Sequence, residues 1–145
     1  MKRAQRLRPL HDLAGQNERQ CALRVADCER RIAAGEQRYQ ELVRYRLEYE
    51  QLFHARASGG APMRGLREQQ VFIARLAEAV RAQRTLVEQL RAESVQLQEQ
   101  WRSAATRKQA VGKVIEHARS EEFMSQEKRQ QRELDELANQ TRARR

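Results

Sequence analysis

The sequence predicts an all-α protein folded as a long antiparallel two-helix coiled coil, and three observations carry that prediction. Charged residues make up 34% of the 145 residues and aromatic residues only 5%, a balance that suits long helices better than a layered core. Apolar residues recur at alternating spacings of three and four over most of the length. The pattern is interrupted once, by "ASGGAPMRG" at 57–65, which holds three of the six glycines and one of the two prolines.

The second helix has the clearer pattern. From Ile73 to Ala118 the three-four spacing runs unbroken through Leu76, Val80, Val87, Leu90, Leu97, Trp101, Ala104, Val111 and Ile115. Only Gln83, Ser94 and Lys108 are polar in that series, which is a strong heptad signal. The first helix is looser, with Cys21, Val25, Cys28, Ile32, Tyr39, Leu42, Tyr49 and Phe53 in register and Gly35 and Arg46 filling the remaining places. Further upstream, Leu7, Leu10 and Ala14 suggest an added or shifted turn.

The expected organisation is one hairpin domain over 1–145, with helices at about 4–57 and 64–140, a turn at 58–63 and a basic C-terminal tail. A short connection makes successive helices antiparallel neighbours. Pro62 and Gly65 are expected to stop continuous helix through the turn, and Pro9 fits if the first helix effectively begins there. A turn centred near residue 61 sets Tyr49 opposite Ile73, Leu42 opposite Val80, Ile32 opposite Leu90 and Cys21 opposite Trp101. The pairing then ends near Ala118, and "FMSQEKRQQRELDELANQ" overhangs.

Much chemistry is excluded. The longest strongly apolar run is "VFIA", far short of the roughly 20 residues that span a bilayer. The basic start "MKRAQRLRPL" lacks the apolar centre of a secretory signal, so a cytoplasmic location is expected. Cys21 and Cys28 lie two helical turns apart, too far to bond to each other, and read as small buried hydrophobes. The three histidines are scattered, so no metal or other cofactor is expected. "VGKV" at 111–114 fails as a phosphate loop, with Arg107 where a glycine is needed and Val114 where Ser or Thr is needed. Two helices build no enclosed, water-poor pocket, so the chain is expected not to be an enzyme.

The formal net charge is +9, and "MKRAQRLR" and "TRARR" gather seven cations at the two ends. Such a balance fits solvated helix faces, nucleic acid, an anionic surface or an acidic protein. Acidic residues interspersed along both helices argue against a nucleic-acid stripe. A self-associating structural coiled coil is a further alternative.

Two bulky residues flank the seam. With Ile73 at heptad position a, Phe72 falls at g; with Leu42 and Tyr49 at d, Tyr45 also falls at g. In an antiparallel pair g flanks g, so both rings lie on one side near the turn. Leu42, Tyr49, Leu76 and Ala79 extend them into a stripe, which reads either as a widened seam or as a binding surface.

"YRLEYEQ" at 45–51, the glycine-rich turn and "REQQVFIARLAEAV" at 67–80 resemble the flagellar export protein family FliJ. "QEQWRSAATRKQA" and "EKRQQRELDELANQ" do so as well, in the same order and spacing over nearly the whole chain. The resemblance implies a hairpin like the γ-subunit stalk of rotary ATPases, acting without catalysis in the flagellar type III export apparatus. It implies insertion into the export ATPase (FliI) ring, stimulation of that ATPase, docking on the cytoplasmic domain of the export gate FlhA, and cycling of export chaperones. The gate-binding positions it implies fall on Leu42, Tyr45, Tyr49, Phe72, Leu76 and Ala79, while Arg38 and Gln83 depart from the family's residues. For the ATPase ring the expected residues are Lys2, Arg3, Arg6, Arg8 and Arg119. The isolated chain is expected to be a monomer, associated peripherally with the inner-membrane apparatus through its partners.

Overall fold

A computed structural model describes residues 2–145 as two long helices packed against each other. Helix α1 runs Arg3–Ser58 and α2 runs Met63–Ala143. Among the described residues there is no strand. The break between the helices is a Schellman ending, which explains its composition. Gly60 takes φ +78°, a left-handed conformation natural to glycine. Its amide then bonds Ala57 O at 3.4 Å, and the Ala61 amide bonds Arg56 O at 3.1 Å, satisfying carbonyls that the end of α1 would leave bare. Pro62 follows and launches α2, its carbonyl accepting from the Leu66 amide at 3.3 Å. Gly65, expected to help stop the helix, lies inside the first turns of α2; the stop is made by Gly59, Gly60 and Pro62.

The helices associate in two compact units. The turn half comprises Ala22–Glu99; the terminal half comprises the residues up to Cys21 together with Gln100–Arg145. In the turn half the pairing is antiparallel. The Cys28 thiol donates to Leu90 O at 3.4 Å, the Gln83 amide donates to Gly35 O at 3.0 Å, and Tyr49 meets Phe72. Its core is Val25, Cys28, Leu42, Val80, Val87 and Leu90, with Ser94 the buried polar member. Gly35 is where the helices come close: a Cβ there would sit 3.1 Å from Val87 Cγ2. In the terminal half Ala4, Ile115 and Ala118 form a small core, with Leu7 and Val111 packed against it.

Three expectations about the terminal half are corrected. There is no added or shifted turn. Ala4, Leu7, His11, Ala14, Glu18 and Cys21 continue the three-four spacing, all buried or half-buried, while Leu10 is exposed. Polar residues at two of these places hid the register. Nor does α1 begin at Pro9; it begins at Arg3 with Pro9 inside it. The proline withholds one amide from the Gln5 carbonyl, and the packing of Ala4 and Leu7 against α2 holds the first turns in place regardless. Trp101, expected within the seam, is 38% exposed, with its indole N–H donating to Glu18 at 2.9 Å. A large ring with a polar edge does not fit a two-helix seam without a partner for that edge.

Candidate functional site

In an antiparallel pair, d and g residues of both helices line one side of the seam, and a and e residues line the other. The two sides of the turn half differ. On the a/e side, Arg91 pairs across the helices with Glu36, flanking an open groove of about 660 Å³ lined by Tyr39, Arg84, Val87 and Glu88 among others. On the d/g side the expected stripe is graded in depth. Leu42 is buried within the core. Tyr49, Leu76 and Ala79 are half-buried. Tyr45 and Phe72 stand out, 51% and 41% exposed.

The depth follows from heptad position. Phe72, at g, lies over the seam and meets Tyr49 edge to face, with ring centroids 4.7 Å apart and planes at 61°. That contact fixes the Phe72 ring from below and leaves its outer face to solvent. Among the described residues Tyr45 has no aromatic neighbour of this kind. The arrangement is a fixed aromatic ledge on a buried leucine floor, suited to receiving an apolar side chain from another molecule.

Arg38 and Gln83 have different surroundings. Gln83 is tied into the seam by its bond to the Gly35 carbonyl. Arg38 is exposed and lies 3.7 Å from Glu41. Two further apolar residues belong to the same side: Leu52 and Leu86, both exposed. They stand one heptad from Tyr45 and from Ala79, and stepping by seven along g would have found them.

In the terminal half, the start of α1 lies beside α2. The Ala4 amide, one of the donors a helix start leaves unpaired, donates to Glu122 Oε1 at 3.3 Å. Lys2 and Arg3 line a groove of about 340 Å³ together with Glu121, Glu122, Ser125 and Arg129. Arg6, Arg8 and Arg119 are exposed and outside that groove. The expected cationic cluster is therefore divided, and its inner members face carboxylates of α2. Glu121 is also 2.9 Å from His117.

The cysteines are free and buried. Burial pushes the Cys28 thiol above its ordinary value, with Glu93 adding in the same direction. This thiol is a packing group and a weak donor, not a nucleophile. Among the described residues no cluster of His, Cys, Asp and Glu could hold a metal ion, and no helix is long and apolar enough to cross a membrane.

One family model, described as flagellar FliJ protein, matches residues 1–145. No curated protein and no solved structure matches the chain.

Proposed function

The chain belongs to the flagellar FliJ protein family, a non-catalytic component of flagellar protein export, and on that footing we propose that it is a stalk and adaptor of the export apparatus. In this reading the turn half docks the cytoplasmic domain of an FlhA-like export gate. The terminal half engages and stimulates the export ATPase ring, and the protein hands on export chaperones. It works in the cytoplasm, held peripherally at the inner-membrane apparatus by its partners, and is a monomer when isolated.

The observation that carries the gate assignment is the pair Tyr45 and Phe72. Both rings remain exposed beside a seam whose d positions are already filled. Folding does not require them there, and burying aromatic anchors of this kind dominates protein docking. Leu42, Tyr49, Leu76 and Ala79 form their support. The ATPase assignment rests on Lys2, Arg3, Arg6, Arg8 and Arg119, cations concentrated where α1 begins and beyond the last buried residue of α2.

Two measurements test this. Tyr45→Ala with Phe72→Ala should weaken gate-domain binding by about 1–2 kcal/mol per ring while helicity and ATPase stimulation persist. Normal binding together with an early melting transition would assign the rings to the core instead. Reversing the charges of Lys2, Arg3, Arg6 and Arg8 together should lower ATPase stimulation and leave gate binding intact. Single changes are too small to read, since an exposed pair contributes about 0–1 kcal/mol. Undiminished stimulation after all four reversals would remove these residues from the ATPase contact.

A further inference from the structure

The d/g side of the turn half changes character along its length. Near the turn it is apolar, with Tyr45 and Leu52 on α1 and Phe72, Ala79 and Leu86 on α2. Stepping back along the g positions of α1 from Tyr45 gives Arg38, Arg31 and Arg24, each seven residues from the next and all exposed. Across from them the g positions of α2 are Leu86, Glu93 and Gln100, with Glu93 the one carboxylate among them. Among the described residues, Arg24 and Arg31 make no salt bridge, and Arg38 makes only the local one to Glu41. The a/e side is the opposite case. There Glu29 and Glu36 of α1 stand against Arg84 and Arg91 of α2, and Arg91 pairs with Glu36, while Glu50 pairs within α1 to Arg46. One side of the turn half balances its charge across the seam; the other leaves a basic row leading into an apolar patch.

We propose that this side receives an acidic amphipathic helix of the docking partner, lying along the seam as a third strand. Its apolar residues would cover Tyr45, Phe72 and Leu86, and its carboxylates, recurring every seven residues, would meet Arg38, Arg31 and Arg24. The inference rests on the gate-docking reading above and deepens it, naming the chemistry of the docked segment and lengthening its footprint toward residue 24. The spacing is the reason for a helix. Guanidinium groups a heptad apart repeat at about 10.5 Å along the axis, the same interval as carboxylates a heptad apart on a neighbouring helix. A second copy of this chain would bring the same basic row against itself. A nucleic acid would leave Leu52 and Leu86 against a phosphate backbone, where aliphatic side chains gain nothing.

The test uses the full chain and two probes. One is the cytoplasmic domain of the export gate. The other is a synthetic peptide of four heptads with Leu at a and d and Glu at e and g. Arg31→Glu with Arg38→Glu should weaken both interactions about tenfold, the attraction of two charge pairs having become repulsion. Raising the salt should reduce wild-type binding and raise the variant's residual binding, since salt screens the attraction in one and the repulsion in the other. Arg84→Glu with Arg91→Glu alters the net charge equally on the other side and should change neither affinity appreciably. Equal losses from the two double variants would overturn the proposal, since net charge alone would then explain them. Should the gate domain lose affinity with Tyr45→Ala and Phe72→Ala but not with the arginine reversals, the acidic-helix inference fails and the docking surface stands. If the gate domain ignores all of these changes, the docking reading itself fails. Preferential, arginine-dependent binding of a single-stranded oligonucleotide over the peptide would also overturn the proposal.

Discussion

The turn half and the terminal half are built from the same two helices and the same heptad rule, yet they are held differently. In the turn half each turn of α1 has a turn of α2 to pack on, and the core is aliphatic, close at Gly35 and hydrogen-bonded at Cys28 and Gln83. In the terminal half the seam includes His11, Glu18, Lys108 and Glu122, and it ends there: from Phe123 onward every residue is exposed. The remainder of α2 is stabilised by its own backbone and by local bonds such as Gln131 to Asp135 and Thr141 to Leu137 O. Continuing helix is not the same as continuing pairing. A helix without a packed face draws only on propensity, which is marginal in water.

The largest test of that difference is Leu90→Ala. Leu90 is 5% exposed and accepts the Cys28 thiol on its carbonyl, so truncation should cost about 2–5 kcal/mol in urea unfolding followed by circular dichroism. A cost under about 1 kcal/mol would mean that the turn half is no better packed than the overhang.

Next come two glycines in similar helices and different surroundings. At Gly35 an added Cβ already meets Val87 at 3.1 Å, whereas at Gly112 the nearest atom is His11 Nε2 at 3.7 Å. Gly35→Val should therefore destabilise by about 1–3 kcal/mol through overpacking. Gly112→Ala should stabilise by up to about 1 kcal/mol, because alanine is the better helix former and the space is free. Melting temperatures moving in the same direction for both variants would contradict the contrast.

A smaller effect depends on pH. Folding buries Cys28 and raises its pKa above the ordinary value of 9.0, so the folded state prefers the neutral thiol. Its contribution is then complete below the unfolded-state pKa and is lost as pH rises through the folded one. Relative to Cys28→Ala, the wild type should lose stability as pH increases past about 9. Parallel stability-against-pH curves for the two proteins would show that folding leaves the thiol's pKa unchanged.

The sequence makes the helices, the turn and most of the seam legible because each is a local or periodic property. Two glycines before a proline end one helix and begin another; unbroken three-four spacing from Ile73 to Ala118 gives the register of α2. The start of α1 is less legible because His11 and Glu18 occupy seam positions that an apolar count passes over, and Leu10 offers a false alternative. Trp101 is misjudged for a related reason: its size suggests the core, and its N–H requires Glu18. Of the candidate surfaces, Tyr45 and Phe72 are readable as g residues left outside the seam. That Lys2 and Arg3 share a groove with Glu121 and Glu122, while Arg6, Arg8 and Arg119 lie outside it, depends on where the packing stops and on which carboxylates α2 presents there.

The smallest expected effect lies beyond the pairing. Leu134 and Leu137 share one side of α2, and both are about as exposed as leucines on a lone helix. Replacing either by Ala removes no contact with α1 and substitutes a residue of equal or better helix propensity, so stability should change by no more than about 0.5 kcal/mol. Hydrogen exchange should show amides of the segment after Phe123 exchanging faster than those around Leu90, since they open without breaking any packing. A loss above about 1 kcal/mol would require these leucines to be covered. If that loss diminished on dilution, the cover would be a second copy of the chain; if it did not, the overhang would fold back on the rest of the protein, and the contrast between the halves would be wrong.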